Sequence, residues 1–189
     1  MKSIIVLIGL IAASFLGFGQ NYKTEIGVVG GFDTDYALAR MEGDRFTGFG
    51  WSAGFSVQHN LKKRFSLNYK IMYNQSKLEY WSGWWNEVVF ESKKCIVIPI
   101  LARWTFGQKK LKLTTDVGLQ NLIWFYKDEL DYYNVLTIGL GGTYSINEQT
   151  KIFMEGRLGH YYWYYFEPDT YDTNAQILVG VTYGLGQKK

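Results

Sequence analysis

The sequence predicts an all-β fold: an eight-stranded antiparallel up-and-down transmembrane β-barrel. Three observations carry the prediction. Apolar and polar residues alternate with a period of two through eight segments, and the connections between those segments alternate in length. The apolar face also carries more large rings than the interior of an eight-stranded barrel can hold, so that face must point outward.

The chain opens MKSIIVLIGLIAASFLGFGQ. Lys2 supplies a positive start, residues 4–18 form an apolar run, and Gly17 and Gly19 put small residues at the −3 and −1 positions before Gln20. This is the pattern of a cleaved secretory signal, and the run is short for a membrane span of about 20 residues. Residues 1–19 are therefore expected to be a signal peptide and 20–189 one barrel domain.

The first predicted strand, 22–32, sets Tyr22, Ile26, Val28 and Phe32 against Lys23, Glu25, Gly27 and Gly31. The second, 47–57, sets Phe49, Trp51, Ala53, Phe55 and Val57 against a face of glycine and serine. The third, 64–73, opposes Phe65, Leu67, Tyr69, Ile71 and Tyr73 to Ser66, Asn68, Lys70 and Met72. The fourth, 95–106, opposes Ile96, Ile98, Ile100 and Trp104 to Pro99, Arg103 and Thr105. The fifth, 111–119, opposes Leu111, Leu113, Val117 and Leu119 to Lys112, Thr114, Asp116 and Gly118. The sixth, 136–146, has Leu136, Ile138, Leu140, Tyr144 and Ile146 on its apolar face. The seventh, 151–159, opposes Ile152, Met154 and Leu158 to Glu155, Arg157 and Gly159. The eighth, 176–185, opposes Ile177, Val179, Val181, Tyr183 and Leu185 to Gln176, Gly180, Thr182 and Gly184. High aromatic content (18%), 21 glycines and only 2 prolines suit packed β-structure.

Short connections are expected at 60–63, 107–110 and 147–150, and long ones at 33–46, 81–92, 127–134 and 167–174. Bacterial outer-membrane barrels have short periplasmic turns and longer outside loops. The short turns are basic (Lys62, Lys63, Arg64, Lys109, Lys110). Three long connections lean acidic, through Asp33, Asp35, Glu42 and Asp44, then Asp128, Glu129 and Asp131, then Glu167, Asp169 and Asp172. Acidic outer loops could share divalent cations with lipopolysaccharide phosphates, although a solvated loop explains them as well.

The face opposite the rings reads as a narrow polar lumen of glycine, serine and threonine. Its charged residues are Lys23, Glu25, Lys70, Arg103, Asp116, Glu155 and Arg157. Isolated charges in a tight lumen are costly, so they are expected to form an ion-pair and hydrogen-bond network that plugs the barrel. A second cluster lies near the outer end: Trp81, Trp84, Trp85, Trp124, Tyr161, Trp163 and Tyr165. An aromatic girdle at headgroup level accounts for it, and stacking on sugars is the functional alternative. The run HYYWYYF at 160–166 extends that girdle beyond the rim. Cys95, the lone cysteine, reads as a small interior residue.

The strand IVIPILARWTF, with Ile98, Pro99 and Ile100, and the later KIFMEGRLG, with Glu155 and Arg157, resemble the PorT-like and OmpA/OmpX-type outer-membrane barrel families of Bacteroidetes. The last strand resembles an outer-membrane assembly signal through Gly180, Tyr183 and Leu185, departing from it where Leu178 takes a usually polar place. The resemblance spans the mature chain and implies a fold, with some members tied to protein secretion.

Composition excludes several classes. A net charge of +3 does not suggest nucleic acid. Zinc-type spacing, a phosphate-cradling glycine loop and a nucleotide fingerprint are all missing from the sequence, so no catalytic, cofactor or metal site is expected. The first functional reading is a non-enzymatic barrel of the outer membrane, in contact with lipid and lipopolysaccharide. It would serve structure, adhesion or an envelope protein complex. A lipid A- or phospholipid-modifying enzyme would need a base beside its nucleophile, and the only histidines are His59 and His160. The third reading is an adhesin that binds surface glycans through the outer rings.

Overall fold

The computed structural model describes residues 24–39, 45–82, 87–107, 110–126, 129–161 and 170–185. Eight strands account for nearly all of them: β1 Thr24–Ala39, β2 Arg45–Asn60, β3 Phe65–Ser82, β4 Glu87–Phe106, β5 Leu111–Tyr126, β6 Glu129–Ser145, β7 Thr150–Tyr161 and β8 Thr170–Leu185. Each pairs antiparallel with the next, and β8 returns to β1, so the sheet is a closed barrel without an edge.

The pleat sorts the side chains. Phe49, Phe55 and Leu140 stand outward with about 67%, 70% and 71% of their surface exposed. Their inward neighbours Ser52, Ser56 and Gly139 are buried. Outward rings pack across the sheet: Phe32 on Phe49 at 5.8 Å, Trp51 on Tyr73 at 5.7 Å, and Phe65 on Trp104 at 5.2 Å between centroids. An apolar outside over a polar, ion-paired inside reverses the pattern of a soluble barrel and fits lipid as the solvent.

The strands are longer than the alternation suggests. Most of the expected long connections are ladder: β1 continues through Asp33 to Ala39, β3 reaches Ser82, β4 begins at Glu87, and β6 begins at Glu129. Ala37 pairs with Asp172 and Trp81 with Val88 inside those stretches. The physical reason is that backbone pairing with the neighbouring strands keeps these stretches extended. β3 has 18 residues and β4 has 20, against the roughly 9–11 that cross a membrane. The barrel wall therefore projects from one side, here called the loop end, while the short β2–β3, β4–β5 and β6–β7 connections lie at the other, the turn end.

Pro99 leaves a mark on the wall. The β3–β4 ladder runs from Phe65–Trp104 to Tyr69–Ile100 and resumes at Met72–Val97. Proline has no N–H to give at the intervening rung. On its other flank Asn121 donates its side-chain amide to the Ile98 carbonyl at 3.0 Å, and the Tyr132 hydroxyl donates to Asn121 Oδ1 at 2.5 Å. Inward glycines let neighbouring strands approach: a Cβ at Gly54 would collide with the Ile71 carbonyl of β3. Gly107, with φ of 102°, makes the β4–β5 turn.

The lumen is not uniformly polar, which corrects the expectation. Val29, Met72, Cys95, Val97, Leu122, Val135, Phe153 and Leu178 form a buried apolar cluster inside it. Inward positions from opposite walls meet, and hydrophobic contact fills the space that water would otherwise have to solvate. Leu178, the departure from the assembly pattern, is fully buried there.

Depth should govern the response to charge. Leu140 and Leu130 both face outward on β6, but Leu140 lies five residues from the turn end and Leu130 at the projecting end. Leu140→Arg is expected to lower unfolding free energy by about 2–4 kcal/mol, and Leu130→Arg by no more than about 1 kcal/mol. Urea titrations in phospholipid vesicles measure both. Gly54→Val should reduce the folded fraction in the same vesicles.

Candidate functional site

Alternation delivers charges from four strands to one level of the lumen: Lys70 from β3, Arg103 from β4, Asp116 from β5, and Glu155 and Arg157 from β7. Arg103 and Asp116 are cross-strand partners. The guanidinium grips the carboxylate with two bonds, Nε to Oδ1 at 2.7 Å and Nη2 to Oδ2 at 2.6 Å. This fork geometry is among the stronger charge-assisted pairings. Glu155 collects three cations: Lys70 Nζ donates to its Oε1 at 2.5 Å, Arg103 Nη2 donates to its Oε2, and Arg157 Nη2 lies 2.7 Å from Oε1. Lys70 Nζ also sits 5.3 Å from the ring centre of Phe153.

The β3 and β7 strands are four apart in a ring of eight, so the Lys70–Glu155 pair joins diametrically opposite walls. Both side chains are almost completely buried. The network continues toward the turn end. Arg103 Nη1 donates to Gln58 Oε1 at 3.1 Å, Gln58 Nε2 donates to Asn60 Oδ1 at 2.8 Å, and Asn60 Nδ2 donates to Glu25 Oε1 at 3.0 Å. Glu25 is also ion-paired with Lys151 and accepts a bond from Thr182 Oγ1 at 3.5 Å.

Glu25, Lys70, Arg103, Asp116, Glu155 and Arg157 are thus brought into one connected set, while Lys23 lies outside the described residues. Sequence reasoning missed Gln58, Asn60 and Lys151, having read Asn60 as turn and Lys151 as the foot of a strand. Parity could have found them. Gln58 and Asn60 share the phase of Ser52 and Ser56, and Lys151 shares that of Glu155.

Two expectations need correction. Asp33 is not a loop acid. It lies in β1, 3% exposed, and accepts a bond from the Asn74 amide inside the lumen. Cys95 Sγ donates to the same Asn74, to Oδ1 at 3.6 Å. Trp124 belongs to the inward phase of β5 rather than to a lipid-facing girdle. Its ring packs on Tyr133 at 4.8 Å, and Lys93 Nζ sits 4.1 Å from its centre. Ladder pairing carries the inward phase on toward the loop end, which turns both residues inside. Trp84, Trp85, Trp163 and Tyr165 lie outside the described residues, as do the side chains of Trp81 and Tyr161. Among the described residues, no group of three His, Cys, Asp or Glu is placed to hold a metal ion.

No protein-family model matches the chain, and no curated protein matches it in sequence. Solved structures do match in shape. The outer membrane protein OprG from Pseudomonas aeruginosa is similar with a TM-score of 0.61 and 10% identity, over 88% of this chain and 96% of OprG. This is an outer-membrane β-barrel fold. Neisserial surface protein A is similar with a TM-score of 0.53 and 14% identity, over 84% of this chain and 96% of that protein. At these identities the likeness is one of fold. Together with the apolar outer face, the fold localises the barrel to an outer membrane.

Removing the shared anion should be the most damaging single change in the lumen. Glu155→Gln leaves three buried cations with Asp116 as the remaining carboxylate of the cluster, an uncompensated arrangement worth roughly 3–5 kcal/mol. Combined with Lys70→Met, the loss should be less than additive by about 0.5–3 kcal/mol. A double-mutant cycle by urea unfolding reads this, and additive losses would show that the pair is not coupled.

Proposed function

We propose that the chain is a small non-enzymatic outer-membrane barrel of the OmpA/OmpX type, exported by a signal in residues 1–19, whose lumen is plugged by its own charges. It acts as a structural or accessory subunit of an envelope complex. The observation that carries the reading is the bond between opposite walls. Lys70 of β3 meets Glu155 of β7 at 2.5 Å, with Arg103 and Arg157 on the same carboxylate and apolar side chains packed nearby in the lumen. Such a cross-section favours rigidity over passage, as expected of eight strands.

The accessory role draws on two further observations. The paired walls projecting at the loop end offer a rigid protein surface outside the lipid. The resemblance to PorT-like barrels, carried by Ile98–Pro99–Ile100 and by Glu155 and Arg157, points toward a role beside secretion machinery. Outer-membrane lipid and lipopolysaccharide contact the apolar band. The non-enzymatic reading is supported by the two histidines. His160 faces outward and His59 hydrogen-bonds Thr24 Oγ1 at 3.0 Å, both on the phase opposite to the lumen charges.

Planar-bilayer recording tests the plug. The wild-type barrel is expected to carry no steady ionic current, and Lys70→Ala with Glu155→Ala should introduce one. A steady wild-type conductance would overturn the reading. Crosslinking in intact outer membranes tests the accessory role: a reproducible partner supports it, and a barrel recovered only as itself counts against it.

A further inference from the structure

At the turn end the lumen widens, beyond Arg103 and Phe153, into a cavity of about 830 Å³ opening among the three short turns. A space of this size is in the range of ligand sites. Its lining is strongly basic. Lys62, Lys63 and Arg64 come from the β2–β3 turn, Lys110 from the β4–β5 turn, and Lys112 from the first rungs of β5. Two further cations, Arg103 and Lys151, are held in ion pairs by Asp116, Glu155 and Glu25. Against the five remaining cations the described lining sets only Glu148, on the third turn.

The class of ligand follows from the layout. Wall residues such as Thr114, Thr143 and Ser145 belong to the inward phase, so a lipid with its tails in the bilayer cannot place its headgroup between them. The occupant must come from the aqueous side. The cations are mostly lysines, which pair with anions as point charges on flexible stems. They come from two turns and from the first rungs of β5. Lys110 and Lys112 stand two residues apart on one face of the chain, about 7 Å, which is also the spacing of alternate side chains in an extended peptide.

We propose that this cavity binds an extended acidic peptide segment of a soluble protein on the turn side of the membrane. Lys110 and Lys112 pair with alternate carboxylates. The proposal names a partner for the accessory role and rests on that reading. The conductance result is independent of it, so failure of one is distinguishable from failure of the other.

The test titrates the full barrel, in detergent micelles, with fluorescein-labelled hexaglutamate. Saturable binding that weakens with added salt is expected. Lys110→Glu with Lys112→Glu should weaken it at least tenfold, and the milder Lys112→Gln several-fold. Lys77→Glu, exposed on β3 toward the loop end, should leave it unchanged. Gel mobility before and after heating confirms that each variant is folded. Three results would overturn the proposal: hexaglutamate binding no tighter than a Gly-Ser peptide of equal length, equal weakening by Lys77→Glu, or displacement by tripolyphosphate at lower concentration than by unlabelled hexaglutamate. The last would assign the cavity to a phosphate anion instead.

Discussion

The Glu155 carboxylate accepts or faces Lys70, Arg103 and Arg157, and the interior is organised around it. An eight-stranded ring is so narrow that a side chain on one wall reaches the wall opposite. That constraint makes an inward charge either a bond or a severe cost. Here the charges bond across β3, β4, β5 and β7, and the lumen becomes a cross-braced core. The same narrowness brings Met72, Val97 and Leu178 together from three walls.

Lipid imposes the complementary demand on the outside. A strand in hydrocarbon must satisfy its backbone internally, and closing β8 onto β1 does so for every strand at once. Pro99 tests the arrangement, since its rung lacks a donor. Asn121 and Tyr132 bring side-chain polarity to the outward phase beside it, and their hydrogen bonds satisfy each other and the Ile98 carbonyl. Beyond the bilayer the demand relaxes, yet the ladder continues, and the wall stands clear of the membrane on one side only.

The two ends of the barrel therefore offer different chemistry. At the loop end, Trp124, Tyr133 and Lys93 pack inside a projecting wall, and Asp33 is turned into the lumen instead of out to solvent. At the turn end, basic turns ring an open cavity whose deepest polar residues already belong to the charge network. The ion-paired set of Lys70, Arg103, Asp116 and Glu155 lies between them.

The sequence by itself determined the strand count, the antiparallel order and the two faces of its eight alternating segments, because a period of two leaves a side chain only two directions. It also sufficed to pick Glu25, Lys70, Arg103, Asp116, Glu155 and Arg157 as inward charges. Only the tertiary structure decided which of them meet, since Lys70 and Glu155 lie 85 residues apart and are joined by barrel closure, not by spacing. It likewise decided how far the ladders run, and so moved Asp33 from an expected loop into the lumen. Backbone pairing with a neighbour, which no local pattern reports, is what keeps the chain extended there.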